Sequence, residues 1–166
     1  ETFPKSLQIE KRIPMELWPL RANPAQIYQM LLNLCVNARD AMPRGGRLTV
    51  QAENCVLDEA SARRITGARA GSFVVLQVDD TGSGIAPEVV EYIWEPAVTN
   101  KDGGKGTGLG LPTVRSIVKR HGGFIQLQTA VGLGSSFRVY LPVTGNSSGS
   151  TSSPSFLTSL SASAPA

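Results

Sequence analysis

Three groups of residues carry side chains, or lack them, in patterns that could do chemistry. The first is a pair of asparagines, Asn33 and Asn37, set in a stretch patterned as a helix. A spacing of four residues is close to one helical turn, so both amides project from one side. Asparagine is a poor occupant of a helix interior because its amide competes for backbone groups. Two in line therefore ask for a purpose. An amide oxygen is a hard neutral ligand able to take one position on Mg2+, and an amide nitrogen can donate to phosphate. A solvated polar stripe explains the pair equally well when it is taken alone.

The second group is Asp80-Thr81-Gly82-Ser83-Gly84-Ile85, at the end of a β-branched run. A carboxylate there can accept from the N6 amino group of adenine, a contact that the oxo group of guanine cannot offer. Gly82 and Gly84 remove β-carbons that would hinder a flat base against the backbone. Spacing to those glycines makes Asp80 the reader and Asp79 its structural neighbour. An aspartate-capped turn is the ordinary alternative.

The third group runs from Gly103 through Lys105, Gly106, Thr107, Gly108, Leu109 and Gly110 into a helical pattern. Unpaired N–H groups at a helix start, freed by glycines to curve tightly, make an anion site. Lys101 and Lys105 would add positive charge for a triphosphate. The spacing is neither that of a Walker loop nor that of a dinucleotide turn after a first strand. A glycine run by itself is more often a flexible loop. As the third of three elements in this order, it points with the others to a nucleotide.

The elements that must position these groups follow from periodicity and punctuation. Residues 7–13 alternate apolar and polar as a strand does, and 17–20 predict a second short one. Asn23-Pro24-Ala25-Gln26 is a helix start with Asn23 as N-cap, and the helix is expected to reach Met42 before Pro43. One face of it, Ile27, Leu31, Leu34, Ala38 and Met42, should pack on a sheet; Gln26, Met30, Asn33, Asn37 and Asp40 form the other stripe. Strands are predicted over 48–57 and 73–79, joined by a polar loop with a helical turn. A short helix over 87–93, a long loop over 94–106 and a helix over 107–121 follow, the last stopped by Gly122-Gly123. Strands over 124–129 and 136–141 flank a glycine turn. The order predicts an α+β fold: a two-layer α/β sandwich with a mixed, mostly antiparallel sheet and helices on one face. Residues 1–143 make that domain, and 144–166, rich in Ser, Gly and Ala, read as a linker or disordered tail.

Composition narrows the function further. The 166 residues carry a net charge of +3, dispersed rather than striped, so no nucleic-acid partner is expected. No apolar run is long enough to span a bilayer, so no membrane contact is expected of this chain. Cys35 and Cys55 are isolated, without a CxxC pair, and are expected to be reduced thiols rather than metal ligands. The single histidine, His121, precedes Gly-Gly at a helix end, where satisfying helix carbonyls is the ordinary role. The chain begins at Glu1 without methionine and reads as a piece of a larger protein.

With these motifs assembled, the chain resembles the catalytic, ATP-binding domain of sensor histidine kinases, in the superfamily shared with DNA gyrase and mismatch-repair ATPases. The N box resembles residues 33–42, the G1 box 80–85, the F box 93–101 and the G2 box 106–111. His121-Gly122-Gly123, Gly134-Ser135-Ser136-Phe137 and Leu141-Pro142 also match. The likeness covers about residues 5–143 and is especially close to kinases bearing the run seen here from Asn37 to Pro43 with Gly45-Gly46, many of them hybrid kinases with a receiver domain attached. It implies the Bergerat sandwich, with ATP and Mg2+ as cofactors. By the same resemblance Asn37 is the Mg2+ ligand, and Asn33 supports phosphates or metal. Asp80 holds adenine, with Gly82, Gly84 and Ile85 in its loop, and Ser135 adds a water-mediated adenine contact. Lys101, Lys105, Gly106, Thr107, Gly108, Leu109 and Gly110 would hold the phosphates. This sequence departs from the pattern at Ala97, Val98 and Asn100, which predicts a looser lid, at Trp94 in place of Phe, and at Asp40 where many relatives carry Lys.

The hydrolysing branch of the superfamily has a glutamate one turn before the metal-binding asparagine. Asn33 stands there in this chain and cannot serve as a base. The resemblance therefore implies transfer of the γ-phosphoryl group to a histidine on a separate dimerisation hairpin of the same parent protein. A response regulator or fused receiver domain would be the next partner. The implied location is the cytoplasm, with a parent that can be membrane-anchored. Two alternatives stay open: a serine/threonine-phosphorylating relative of the anti-sigma-factor type, and a non-enzymatic nucleotide-sensing module.

Overall fold

The computed structural model describes residues 6–95 and 110–143. Strand β1 (Leu7–Arg12) leads into helix α1 (Pro24–Asp40), which returns to β2 (Gly46–Leu57) parallel to β1. A single turn, α2 (Glu59–Ala62), separates β2 from β3 (Gly71–Asp80). Then come α3 (Pro87–Val90), α4 (Gly110–Arg120), β4 (Phe124–Ala130) and β5 (Gly134–Pro142). The sheet has five strands in the order β1-β2-β3-β5-β4, antiparallel everywhere except at β1–β2. The expected α+β sandwich is the observed fold.

The start of α1 is set by its cap. Asn23 Oδ1 accepts from the N–H groups of Ala25, at 3.0 Å, and Gln26, and Pro24 opens the helix where its missing N–H costs nothing. The helix closes at Asp40, two residues short of the predicted end, because Met42 N–H already turns to Arg39 O. At the other end of the helical layer, α4 stops in a Schellman arrangement. Gly123 N–H reaches Val118 O, Gly122 N–H reaches Lys119 O, and Gly122 takes φ +70°.

The main core lies between these two helices and one face of the sheet. Met30, Leu34 and Ala38 of α1 and Val114, Ile117 and Val118 of α4 meet Leu48, Val78, Phe137, Val139 and Leu141. Met30 is fully buried, so its expected place on the polar stripe is corrected: 30, 34 and 38 form the inward line. Ile27 and Leu31 flank that line, only partly buried. The period of two sends Phe73, Val75 and Tyr140 to the opposite face. There they pack with Leu57 and Phe124 under Ile65 and Ala68 of the α2 segment. Helices on one face therefore describes α1 and α4, while the α2 segment caps the other side.

Residues 17–20 form no strand, against expectation. Pro14 and Pro19 lack donors for a ladder, and a side chain supplies the pairing instead. Asn54 accepts from Trp18 N–H at 2.8 Å and donates to Glu16 O at 3.0 Å. Strands β2, β3 and β5 run a residue or more beyond their predicted ends, into glycines at positive φ. Those glycines hid the continuation. The long loop predicted after Trp94, the start of the helix at 107 and the tail from 144 lie outside the described residues. Trp94 itself sits edge-on to Phe137, with centroids 6.0 Å apart, and packs against the main core.

Candidate functional site

Asp80 ends β3 on the face of Val78, toward the helical layer, opposite Ser135 of β5. It is 7% exposed. Its carboxylate accepts from Gly82 N–H at 2.9 Å and from the Ser135 N–H. Burial pushes its pKa above the ordinary carboxylate value, outweighing those two bonds, and the neighbouring Asp79 charge adds to the rise. Asp79 points the other way and is occupied there. It accepts from Gln51 Nε2 at 3.1 Å and Gln77 Nε2 at 2.9 Å. The two adjacent aspartates thus face opposite sides of the sheet, Asp79 bonded to Gln51 and Gln77 and Asp80 to Gly82 and Ser135.

The loop after Asp80 is fastened on three sides. Thr81 exchanges two bonds with Arg47 at the start of β2: its N–H donates to the Arg47 carbonyl at 3.2 Å, and its hydroxyl oxygen accepts from Arg47 N–H at 2.9 Å. Ser83 N–H reaches Ala41 O at the end of α1, at 3.0 Å, and Ser83 O accepts from Gly132 N–H at 2.8 Å. Ile85 N–H donates to Thr129 Oγ1 at 2.9 Å, and the Ile85 side chain packs on the main core. The two glycines serve these attachments. A Cβ on Gly82 would run into the Ala41 carbonyl, and one on Gly84, at φ +69°, into the Ala130 carbonyl. Both therefore make room for the chain's own backbone, where the sequence had suggested room for a ligand.

On α1, Asn33, Asn37 and Ala41 fall in line one turn apart. Since Ala41 O holds Ser83, the stripe bearing both amides runs directly into the Asp80 loop. Asn33 Nδ2 lies 3.4 Å from Gly110 O, bridging α1 to the first described residue of α4, and its Oδ1 makes no hydrogen bond among the described residues. Asn37 makes no side-chain hydrogen bond among the described residues, and both asparagines are half-buried. Asp40, on the expected stripe, is exposed and pairs with Arg39 at 3.2 Å. Lys101, Lys105, Gly106, Thr107, Gly108 and Leu109 lie outside the described residues.

Among the described residues no group of three or more His, Cys, Asp or Glu gathers as a metal cage. What the stripe offers is neutral amide oxygen. That donor set fits Mg2+, which keeps most of its waters and binds through few protein ligands plus phosphate. Ser135, 7% exposed, sits beside Asp80 with its Oγ 2.8 Å from Thr129 Oγ1. A shallow cleft of about 440 Å³ lined by Ser6, Gln8, Gly46, Arg47 and Thr81 borders the Asp80 loop at Thr81, and its lining includes neither Asp80, Ser135 nor the two asparagines.

His121 is engaged as expected. Nδ1 donates to Ile117 O at 2.8 Å, and Nε2 accepts from Asn23 N–H at 3.2 Å. The ring carries its hydrogen on Nδ1 and joins the end of α4 to the cap of α1. Two contributors escaped the sequence: the Ala41 carbonyl and the Thr129 hydroxyl. A backbone oxygen carries no sequence signal, and Thr129 looks like any strand threonine.

The model of the family described as Histidine kinase-, DNA gyrase B-, and HSP90-like ATPase matches residues 22–145. The sensor kinase CckA of Brucella abortus is 42% identical over 138 residues, which is 83% of this chain and 15% of that protein. The chain thus spans under a sixth of that relative's length. The catalytic domain of the histidine kinase ThkA superposes with a TM-score of 0.62 at 27% identity, covering 82% of this chain and 80% of that one. ShkA, solved full-length in complex with AMPPNP, superposes with a TM-score of 0.64 at 26% identity over 83% of this chain and 26% of its own. No helix among the described residues is long and apolar enough to cross a membrane.

Proposed function

This chain belongs to the histidine kinase-, DNA gyrase B- and HSP90-like ATPase family, and from that premise we propose that it binds ATP with Mg2+ and donates the γ-phosphoryl group to a histidine on a separate dimerisation hairpin. The observation that carries the reading is the Ser83–Ala41 bond. It fastens the Asp80 loop to the end of the helix that bears Asn33 and Asn37. One ligand with a base at one end and phosphates at the other can then meet both.

Asp80 takes the adenine amino group, with Ser135 beside it as the second polar contact. Asn37 offers its amide oxygen to the metal, and Asn33 offers an amide to metal or phosphate. Lys101, Lys105 and the backbone from Gly106 to Gly110 hold the phosphates. Bound magnesium would neutralise and orient the phosphate oxygens.

Transfer rather than hydrolysis follows from Asn33. An amide cannot accept a proton from water, whereas phosphoryl transfer depends on positioning and charge neutralisation. His121 is not the acceptor, because both of its nitrogens serve the α4–α1 junction. The acceptor hairpin, and a response regulator or receiver domain after it, are therefore partners of this chain.

The test mixes the chain with radiolabelled ATP, Mg2+ and a phosphoacceptor hairpin of the histidine kinase type. Acid-labile, base-stable label on the hairpin and none on this chain is the expected result. Calorimetry showing ATP uptake with no transfer to histidine would leave the nucleotide-sensing reading instead.

A further inference from the structure

Thr129 lies near the end of β4, outside every motif of the sequence, yet its hydroxyl is where three segments meet. It accepts from Ile85 N–H at 2.9 Å, stands 2.8 Å from Ser135 Oγ and reaches Gly134 O at 3.2 Å. A hydroxyl has one hydrogen and two lone pairs. Ile85 uses one lone pair. If the Thr129 hydrogen goes to Gly134 O, Ser135 donates to Thr129 and turns a lone pair outward. If it goes to Ser135, the serine hydrogen is released. Either arrangement keeps the Thr129–Ser135 bond, so Ser135 can meet a donor or an acceptor without losing its anchor.

The same hydroxyl holds the exit of the Asp80 loop. Ile85 follows Gly84, whose backbone is already pressed on the Ala130 carbonyl. The neighbouring Gly132–Ser83 link is backbone to backbone. Among the described residues, Thr129 supplies the side-chain tie between this loop and the β4–β5 turn. Asp80 and Ser135 are both nearly closed to solvent, so small shifts of either would not be absorbed by water.

We infer that Thr129 is a positioning residue for base recognition, fixing the Asp80 loop through Ile85 N–H and orienting the Ser135 hydroxyl beside it. The inference rests on the adenine-nucleotide reading above. Since Thr129 acts at the base end, its loss affects ATP and ADP alike.

Thr129→Val keeps the shape and removes the hydroxyl, and Thr129→Ser restores it. By calorimetry, Thr129→Val is expected to weaken ATP and ADP by the same factor, about tenfold, and Thr129→Ser to stay within about twofold of the parent chain. Combining Thr129→Val with Ser135→Ala should cost less than the product of the single losses, because the two hydroxyls act as one unit. A purely structural threonine would lower the melting temperature and leave the affinity of folded protein alone. Folded Thr129→Val with unaltered ATP affinity, or Thr129→Ser as weak as Thr129→Val, overturns the inference. Where Thr129→Val does not melt cooperatively, Thr129→Cys, with its weaker thiol, decides on the same readouts: several-fold loss supports, none overturns. A parent chain that takes up neither ATP nor ADP removes the nucleotide reading and this inference with it. A parent that binds, with variants unimpaired, removes this one alone.

Discussion

The two ends of the site are built on opposite plans. Around Asp80, the loop's polar groups are matched within the protein: Gly82 and Ser135 to the carboxylate, Thr81 to Arg47, Ser83 to Ala41 and Gly132, Ile85 to Thr129. Along the asparagine stripe, among the described residues, Asn37 has no side-chain partner, and Asn33 reaches Gly110 O only at 3.4 Å. A base is flat and rigid, and a pre-set edge can read it without rearrangement. Phosphates and a metal bring strong charge of their own and need donors left free to receive it. On the proposed reading, selectivity is stored in the fold at one end and completed by the ligand at the other.

The most severe way to break that contrast is Asp80→Asn. The amide keeps an acceptor for Gly82 N–H but presents an ambivalent group to the base, and ATP affinity is expected to fall about a hundredfold by calorimetry, the scale of a hydrogen bond to a charged group. Stability should answer to pH. The folded-state pKa of Asp80 lies above its ordinary value of 3.8, mainly through burial. The folded state therefore favours the protonated form, and its stability falls as pH rises from 3.8 through the raised value. Asp80→Asn removes that titration but offers one acceptor oxygen to two backbone donors, Gly82 and Ser135 N–H, so what should change is the pH-dependence: the fall in melting temperature between acid and neutral pH is expected to be smaller than in the parent. A variant whose melting temperature falls with pH as steeply as the parent's would show that Asp80 is not the group responsible.

Gly84→Ala attacks the pre-set end through its backbone. At φ +69°, an added Cβ meets the Ala130 carbonyl, so the loop must shift; left-handed backbone alone costs an alanine about 1–2 kcal/mol. Thermal melting should register at least that loss, with weaker ATP binding beside it. An alanine variant with the parent's melting temperature would show that the loop is softer than its attachments imply.

At the other end, Asn37→Ala should leave the fold alone, since it removes an amide with no partner among the described residues. Its expected effect is a loss of about tenfold in ATP affinity with Mg2+ present and little change in EDTA, the scale of one polar contact. Equal losses in both conditions would assign Asn37 to phosphate rather than metal.

The same contrast decided how much could be read in advance. Periodicity was enough for the strands, for both long helices and for the sandwich, since burial on one face enforces it. It misplaced Met30, because a helix sunk between a sheet and a second helix buries a wider arc than one face. It also proposed a strand at 17–20, where Asn54 outbids a ladder that two prolines had emptied. In the site, Asn33, Asn37 and Asp80 announce themselves by type and spacing, whereas Thr129 and Ala41 act through a common hydroxyl and a backbone oxygen. Glycine was half legible. Its freedom at 84 was foreseeable, but its neighbour, a carbonyl from a distant hairpin, was not.

The smallest effect tests whether the helices that carry the free end are braced from afar. His121 ties the close of α4 to the cap of α1, with Nδ1 on Ile117 O and Nε2 on Asn23 N–H. The Asn33–Gly110 contact ties the same two helices beside the site. His121→Ala removes the distant tie and leaves the near one, so stability should drop by about 1 kcal/mol, the net worth of a bond of this kind. Asn23 N–H is exposed and can turn to water, which keeps the loss small. ATP affinity of the folded protein should be unchanged if the stripe is set locally by α1 packing on the sheet. A clear affinity loss in His121→Ala would instead mean that the phosphate end depends on the relative placement of two whole helices, and the contrast between a stored end and a completed end would have to be redrawn.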